Sequence, residues 1–103
     1  MSALTTPDIE TDAILEKVAH ELDISETEAL TEGLRTLLQR NLRVIQSRVF
    51  EIRGRYSVAS VEDMEERYRQ GTLDEAESWR DLQALDHLET KQQRLQDILD
   101  LLP

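Results

Sequence analysis

One hundred and three residues make one domain at most, and a leucine-rich, aromatic-poor composition suits helices and suits a sheet badly. Cysteine is absent, which excludes disulfides and thiolate chemistry, and no run approaches the ~18 apolar residues of a membrane span. The net charge of −10 is unevenly placed: a basic middle with Arg35, Arg40, Arg43, Arg48, Arg53 and Arg55 lies between two acidic arms.

The stretch from Ser2 to Thr6 reads as a frayed end or a tiny strand. Thr6-Pro7-Asp8 is a helix start, with threonine as N-cap, proline at the first helical position and acids in the first turn. Ile14, Leu15, Val18, Ala19 and Leu22 make one apolar face, so a first helix is predicted over about 7–22. Asp23-Ile24 is a short connection, and Ser25 with Glu28 forms a capping box. The long second helix carries Leu30, Leu34, Leu37 and then Leu38, Leu42, Ile45, Val49 and Ile52, an a/d rhythm that asks for a helix alongside. Gly54 is the predicted stop, and Arg55-Tyr56 the start of a linker. Ser60 to Asp63 caps a short helix that ends at Gln70-Gly71. Two start signals follow, Thr72 to Glu75 and Ser78 to Asp81. The last helix then shows a second seam at Leu85, Leu88, Gln92, Leu95, Leu99 and Leu102.

These elements predict an all-α fold of four helices at about 7–22, 26–53, 61–70 and 75–102. The two long helices form an antiparallel coiled-coil-like hairpin, accompanied by an N-terminal helix and a short connecting helix. Residues 1–54 form a dimerisation region, and residues 55–103 pack a short helix and an acidic helix on the long one, within a single domain overall. Trp79 and the short helix are expected to close the turn end. Trp79 and Phe50 read first as core closure and, if exposed, as partner anchors.

Enzyme chemistry finds little footing. His20 and His87 are far apart, and each reads as a surface histidine. Gly33, Gly54 and Gly71 are isolated, so there is no phosphate-cradling loop, and the serines have no activating base in a recognisable motif. No catalytic residue, cofactor or metal is expected. The basic middle has two readings: neutralised by the acidic arms, or left open for an acidic partner or nucleic acid.

Residues 7–42 resemble the helical part of a ribbon-helix-helix protein. The pattern runs Pro7-Asp8, Leu15, Val18-Ala19, Leu22, Asp23-Ile24-Ser25, Glu28-Ala29-Leu30, Gly33-Leu34 and Leu37-Leu38. In that family a basic strand before the proline pairs with its mate in a dimer and reads the DNA major groove. Here Ser2 to Thr6 offers no Lys, Arg, Asn or Gln to base edges, and Glu26 and Glu28 would repel a phosphate at the second helix start. The second half, with Tyr56, Ser60 to Gln70, Gly71 and the acidic helix from Glu75, is similar to small prokaryotic antitoxin-like proteins. That resemblance implies a non-catalytic cytoplasmic interaction protein, the antitoxin of a toxin–antitoxin pair, which wraps a basic toxin. The alternatives are a ribbon-helix-helix DNA-binding repressor and a helical scaffold or adaptor. The charge of −10 counts against DNA as partner.

Two surfaces are expected. A homodimer interface is placed on Leu15, Val18, Leu22, Leu30, Leu34, Leu37 and Leu38, because a helical chain of this size has a limited core. A site for a basic protein is placed on the acidic arm at Glu62, Glu65, Glu66, Asp74, Glu75 and Glu77, with Tyr68 and Trp79 as apolar anchors.

Overall fold

A computed structural model describes residues 2–103, with side chains from Glu10 onward. The fold is all-α: α1 (Ser2–Leu22), α2 (Glu26–Tyr56), α3 (Val61–Gln70) and α4 (Glu75–Leu101), with no strand among the described residues. Two compact units divide the chain within α2. One comprises the chain up to Leu37 together with Leu102–Pro103, and the other runs from Leu38 to Leu101.

The second unit holds the hairpin. Leu42, Ile45, Val49 and Ile52 of α2 are buried, as the a/d rhythm predicts, and Ile45, Val49 and Ile52 share a core with Leu85 and Leu88 of α4. The antiparallel sense shows in the side-chain pairs. Arg53 meets Glu89 and Arg55 meets Asp81, while Leu42, nearer the start of α2, shares a groove with Leu99. Val58, Val61 and Met64 complete the core from the connection and α3, and Met64 and Leu85 are wholly enclosed. Tyr56, Tyr68, Leu73, Leu82, Ala84 and Leu95 pack around this cluster.

Helix ends follow local chemistry. Ser60 caps α3, its Oγ accepting from the N–H of Asp63 at 3.1 Å, and the Asp63 carboxylate accepts in return from the N–H of Ala59 at 2.8 Å. Ser25 Oγ accepts from the N–H of Glu28 at 3.0 Å. Asp74 precedes α4 and accepts from the N–H of Ala76 at 2.9 Å. Gly71 takes the left-handed conformation after α3, with φ 74°.

Three expectations need correction. The backbone from Ser2 to Thr6 is helical, so α1 begins before Pro7 and no strand is formed there. A strand needs a second strand for its backbone groups, whereas a helix satisfies them locally. Gly54 does not end α2; the helix runs two residues further, to Tyr56, and Ser57 takes the left-handed turn with φ 53°. The N–H of Val58 reaches the carbonyl of Arg53 at 3.0 Å, and Val58 drops into the core, which is the hydrophobic closure of a Schellman motif. A buried residue after the turn therefore outranks the glycine before it. Lastly, Trp79 does not close the turn end. Ser78 does: it is 1% exposed, its Oγ lies 2.8 Å from the hydroxyl of Tyr68, and it donates to the carbonyl of Asp74 at 2.6 Å. Ser78 is in register with Leu85 and Leu88, and Trp79 is rotated by about 100° from that line.

Candidate functional site

The described side chains of the first unit bury little. Among its described residues only Ala19 is a buried apolar side chain, and Ile14, Val18, Leu22, Leu30, Leu34 and Leu37 are all exposed. Leu22 keeps 61% and Leu30 53% of their surface open. Leu15 and Leu38 are half-buried. Every residue expected at a dimer interface thus retains surface to offer. Between α1 and α2, Val18, Leu22, Ile24 and Ala29 line a groove of about 320 Å³, with Glu28 and Glu32 also in its wall. The corner that joins the two helices is a Schellman turn. Asp23 has φ 57°, and the N–H of Ile24 reaches the carbonyl of Ala19 at 3.0 Å. Arg35 donates to the carbonyl oxygen of Pro103 within this unit.

The acidic arm divides into residues that hold the fold and residues that face outward. Tyr68 belongs to the fold, half-buried against the core and bonded to Ser78. Asp74 caps α4, and Glu66 pairs with Arg69 one turn on. Glu62, Glu65, Glu75 and Glu77 are exposed with no ion pair among the described residues. Trp79 stays 43% exposed. With Glu75, Ala76, Leu82 and Gln83 it lines an open depression of about 480 Å³. The guanidinium carbon of Arg80 lies 5.7 Å from the ring centroid of Trp79, within cation–π range.

Sequence reasoning missed the polar joint of the hairpin. The Asp81 carboxylate accepts from the hydroxyl of Tyr56 and from Arg55 at 2.8 Å, and Arg55 also reaches Glu51 at 3.2 Å. The Tyr56 hydroxyl bond, helped by Arg55, holds the Asp81 carboxyl below its ordinary value against an opposing effect of burial. The same bond pushes the Tyr56 phenol up, with burial and the Asp81 charge acting in the same direction. Hydrogen bonding to Asp81 raises Arg55 as well. Next to this joint, Glu89 takes Arg53 at 2.9 Å and accepts a long bond, 3.5 Å, from the N–H of Val61 at the start of α3. Gln92 lies half-buried in a polar groove of about 390 Å³ with Arg53, Glu89, Gln93 and Gln96. Tyr56 and Asp81 are 25 residues apart, and the expected stop at Gly54 had placed Tyr56 outside the helix.

The basic middle is split in the same way. Arg53 and Arg55 are neutralised by α4, whereas Arg40, Arg43 and Arg48 are exposed and form no ion pair among the described residues. Phe50 stands 79% exposed on the same helix, so it is a surface residue and not part of the core. His20 and His87 are both exposed. Among the described residues no group of three or more His, Asp or Glu is placed to hold a metal ion, and no helix is long and apolar enough to cross a membrane.

No curated protein and no solved structure matches the chain. One family model does, over residues 8–102, from within the first helix through the whole of the hairpin. The chain therefore belongs to the Uncharacterized protein MJ0235 family.

Proposed function

We propose that the chain is a non-catalytic interaction protein that works as a homodimer and binds a basic protein, in the manner of an antitoxin with its toxin. The observation that carries this reading is the uncovered apolar face of the first unit. Val18, Leu22, Leu30 and Leu34 are exposed, and among the described residues of that unit only Ala19 is a buried apolar side chain. A helix pair whose described side chains bury so little gains its stability by packing against another surface, and a second copy is present wherever the chain is made. Two such pairs, related by a two-fold axis, make a four-helix bundle. The acid excess of the remaining surface supports a basic protein as the further partner.

Light scattering tests the assembly. The chain is expected to be a dimer at micromolar concentration, and Leu30→Asp with Leu34→Asp is expected to dissociate or unfold it. A monomeric wild-type chain would overturn the dimer. The rims of the apolar face carry Glu28 and Glu32, so two copies bring like charges together, and dimerisation should strengthen as salt is added. Binding of a basic protein should weaken under the same change. Co-purification with the product of the neighbouring gene, set beside a gel-shift with the operon's own promoter, separates the antitoxin reading from its rival. That rival is a DNA-binding repressor, favoured by one observation: Arg40, Arg43 and Arg48 are exposed and form no ion pair among the described residues.

A further inference from the structure

We infer that the shelf around Trp79 on α4 is where the chain docks a basic, amphipathic segment of a partner protein; this rests on the reading above that the partner is basic. The shelf is a depression of about 480 Å³ lined by Glu75, Ala76, Trp79, Leu82 and Gln83. Its apolar floor rests on a firm base. Leu82 is half-buried and packs against the hairpin core, and the preceding residue, Asp81, is held by Tyr56 and Arg55. Trp79 lies across this base with 43% of its surface open, a large apolar area that the chain itself leaves uncovered.

Three features select the occupant. An apolar side chain of the partner fills the floor between Ala76, Trp79 and Leu82. The charged rim is acidic, with Glu75 in the lining and Asp86 exposed two turns beyond Trp79 on the same line of the helix. The indole face already accepts a cation, since Arg80 stacks on it at 5.7 Å. Arg80 has no carboxylate partner among the described residues, so it is free to swing off the ring when a lysine or arginine of the partner arrives. The shelf of a second copy, laid face to face on this one, would bring Glu75 against Glu75 with no gain in charge. A segment with positive residues around an apolar one complements it in both respects.

Trp79 is the only tryptophan of the chain, so its emission reports on the shelf directly. The full-length chain is titrated with an eighteen-residue amphipathic helix of leucine and lysine, and separately with the same peptide carrying glutamate in place of lysine. Calorimetry records binding in parallel. The lysine peptide should give a saturable blue shift of the emission and the glutamate peptide none. Glu75→Lys with Asp86→Lys should weaken the lysine peptide at least tenfold while leaving the circular dichroism and the oligomeric state unchanged. Calorimetric binding of the lysine peptide with no change in Trp79 emission, or binding insensitive to the double substitution, overturns the shelf and leaves the basic-partner reading standing. No binding by either measurement overturns both. A blue shift that grows with protein concentration alone assigns the shelf to a second copy and overturns the inference.

Discussion

The same substitution at two glycines is expected to act with opposite sign. Gly54 lies inside α2, and Gly71 follows α3 with φ 74°. A Cβ added at either position meets no atom within 4 Å, so neither change is decided by crowding. What remains is the backbone. At Gly54 alanine is the better helix former and restricts the unfolded chain, a gain of about 1 kcal/mol. At Gly71 alanine must hold a left-handed conformation, a loss of about 1 kcal/mol or somewhat more. The two variants should therefore differ by roughly 2 kcal/mol. At about 4–8 °C per kcal/mol for a domain of this size, that separates their melting temperatures by about 8–16 °C, with wild type between them. Thermal unfolding followed by circular dichroism at one protein concentration, checked by urea midpoints, measures it. If Gly54→Ala destabilises as Gly71→Ala does, then α2 ends at Gly54 and the closure through Ser57 and Val58 is wrong. Ser57→Gly provides an independent check: it relieves φ 53° and should stabilise by a few tenths to about 1 kcal/mol.

Acid should weaken the hairpin through Asp81. Its carboxyl is held below the ordinary value of 3.8, so its contribution is complete above that value and is lost as pH falls through the lower folded one. Asp81→Asn should flatten the acid limb of a plot of urea midpoint against pH; an unchanged limb would remove Asp81 from the account. Tyr56 has the reverse sign. Its phenol is raised above 10.0, so its contribution is present below that value and is lost as pH rises through the folded one, a loss that Tyr56→Phe should abolish. Met64 is fully enclosed and Phe50 is 79% exposed, so Met64→Ala should cost about 2–5 kcal/mol and Phe50→Ala within about 0.5 kcal/mol in denaturant titrations. Comparable losses at the two positions would mean that Phe50 is covered by another surface in solution. Removing the hydroxyl in Ser78→Ala should cost about 1 kcal/mol, because the half-buried Tyr68 loses its hydrogen-bond partner, and Tyr68→Phe in the same chain should recover part of that loss.

The helices were legible in the residues because helix physics is local. Serine at 25 and 60 offers an oxygen to the free N–H groups of a first turn whatever the remainder of the chain does, and both were found doing so. The seam at Leu42, Ile45, Val49 and Ile52 was legible for a similar reason, since its 3–4 rhythm places those side chains on one line of the helix. Only the tertiary structure decided what depended on a distant residue. Val58 drew the end of α2 past Gly54 because its side chain had a core to enter, and Tyr56 stayed helical with its hydroxyl on Asp81, 25 residues away. Tyr68 and Trp79 looked equivalent as aromatic residues in an acidic arm. The register of α4 turned Ser78 inward to meet Tyr68 and left Trp79 on the surface, and one residue of helical rotation separated a packing group from a surface a partner can reach.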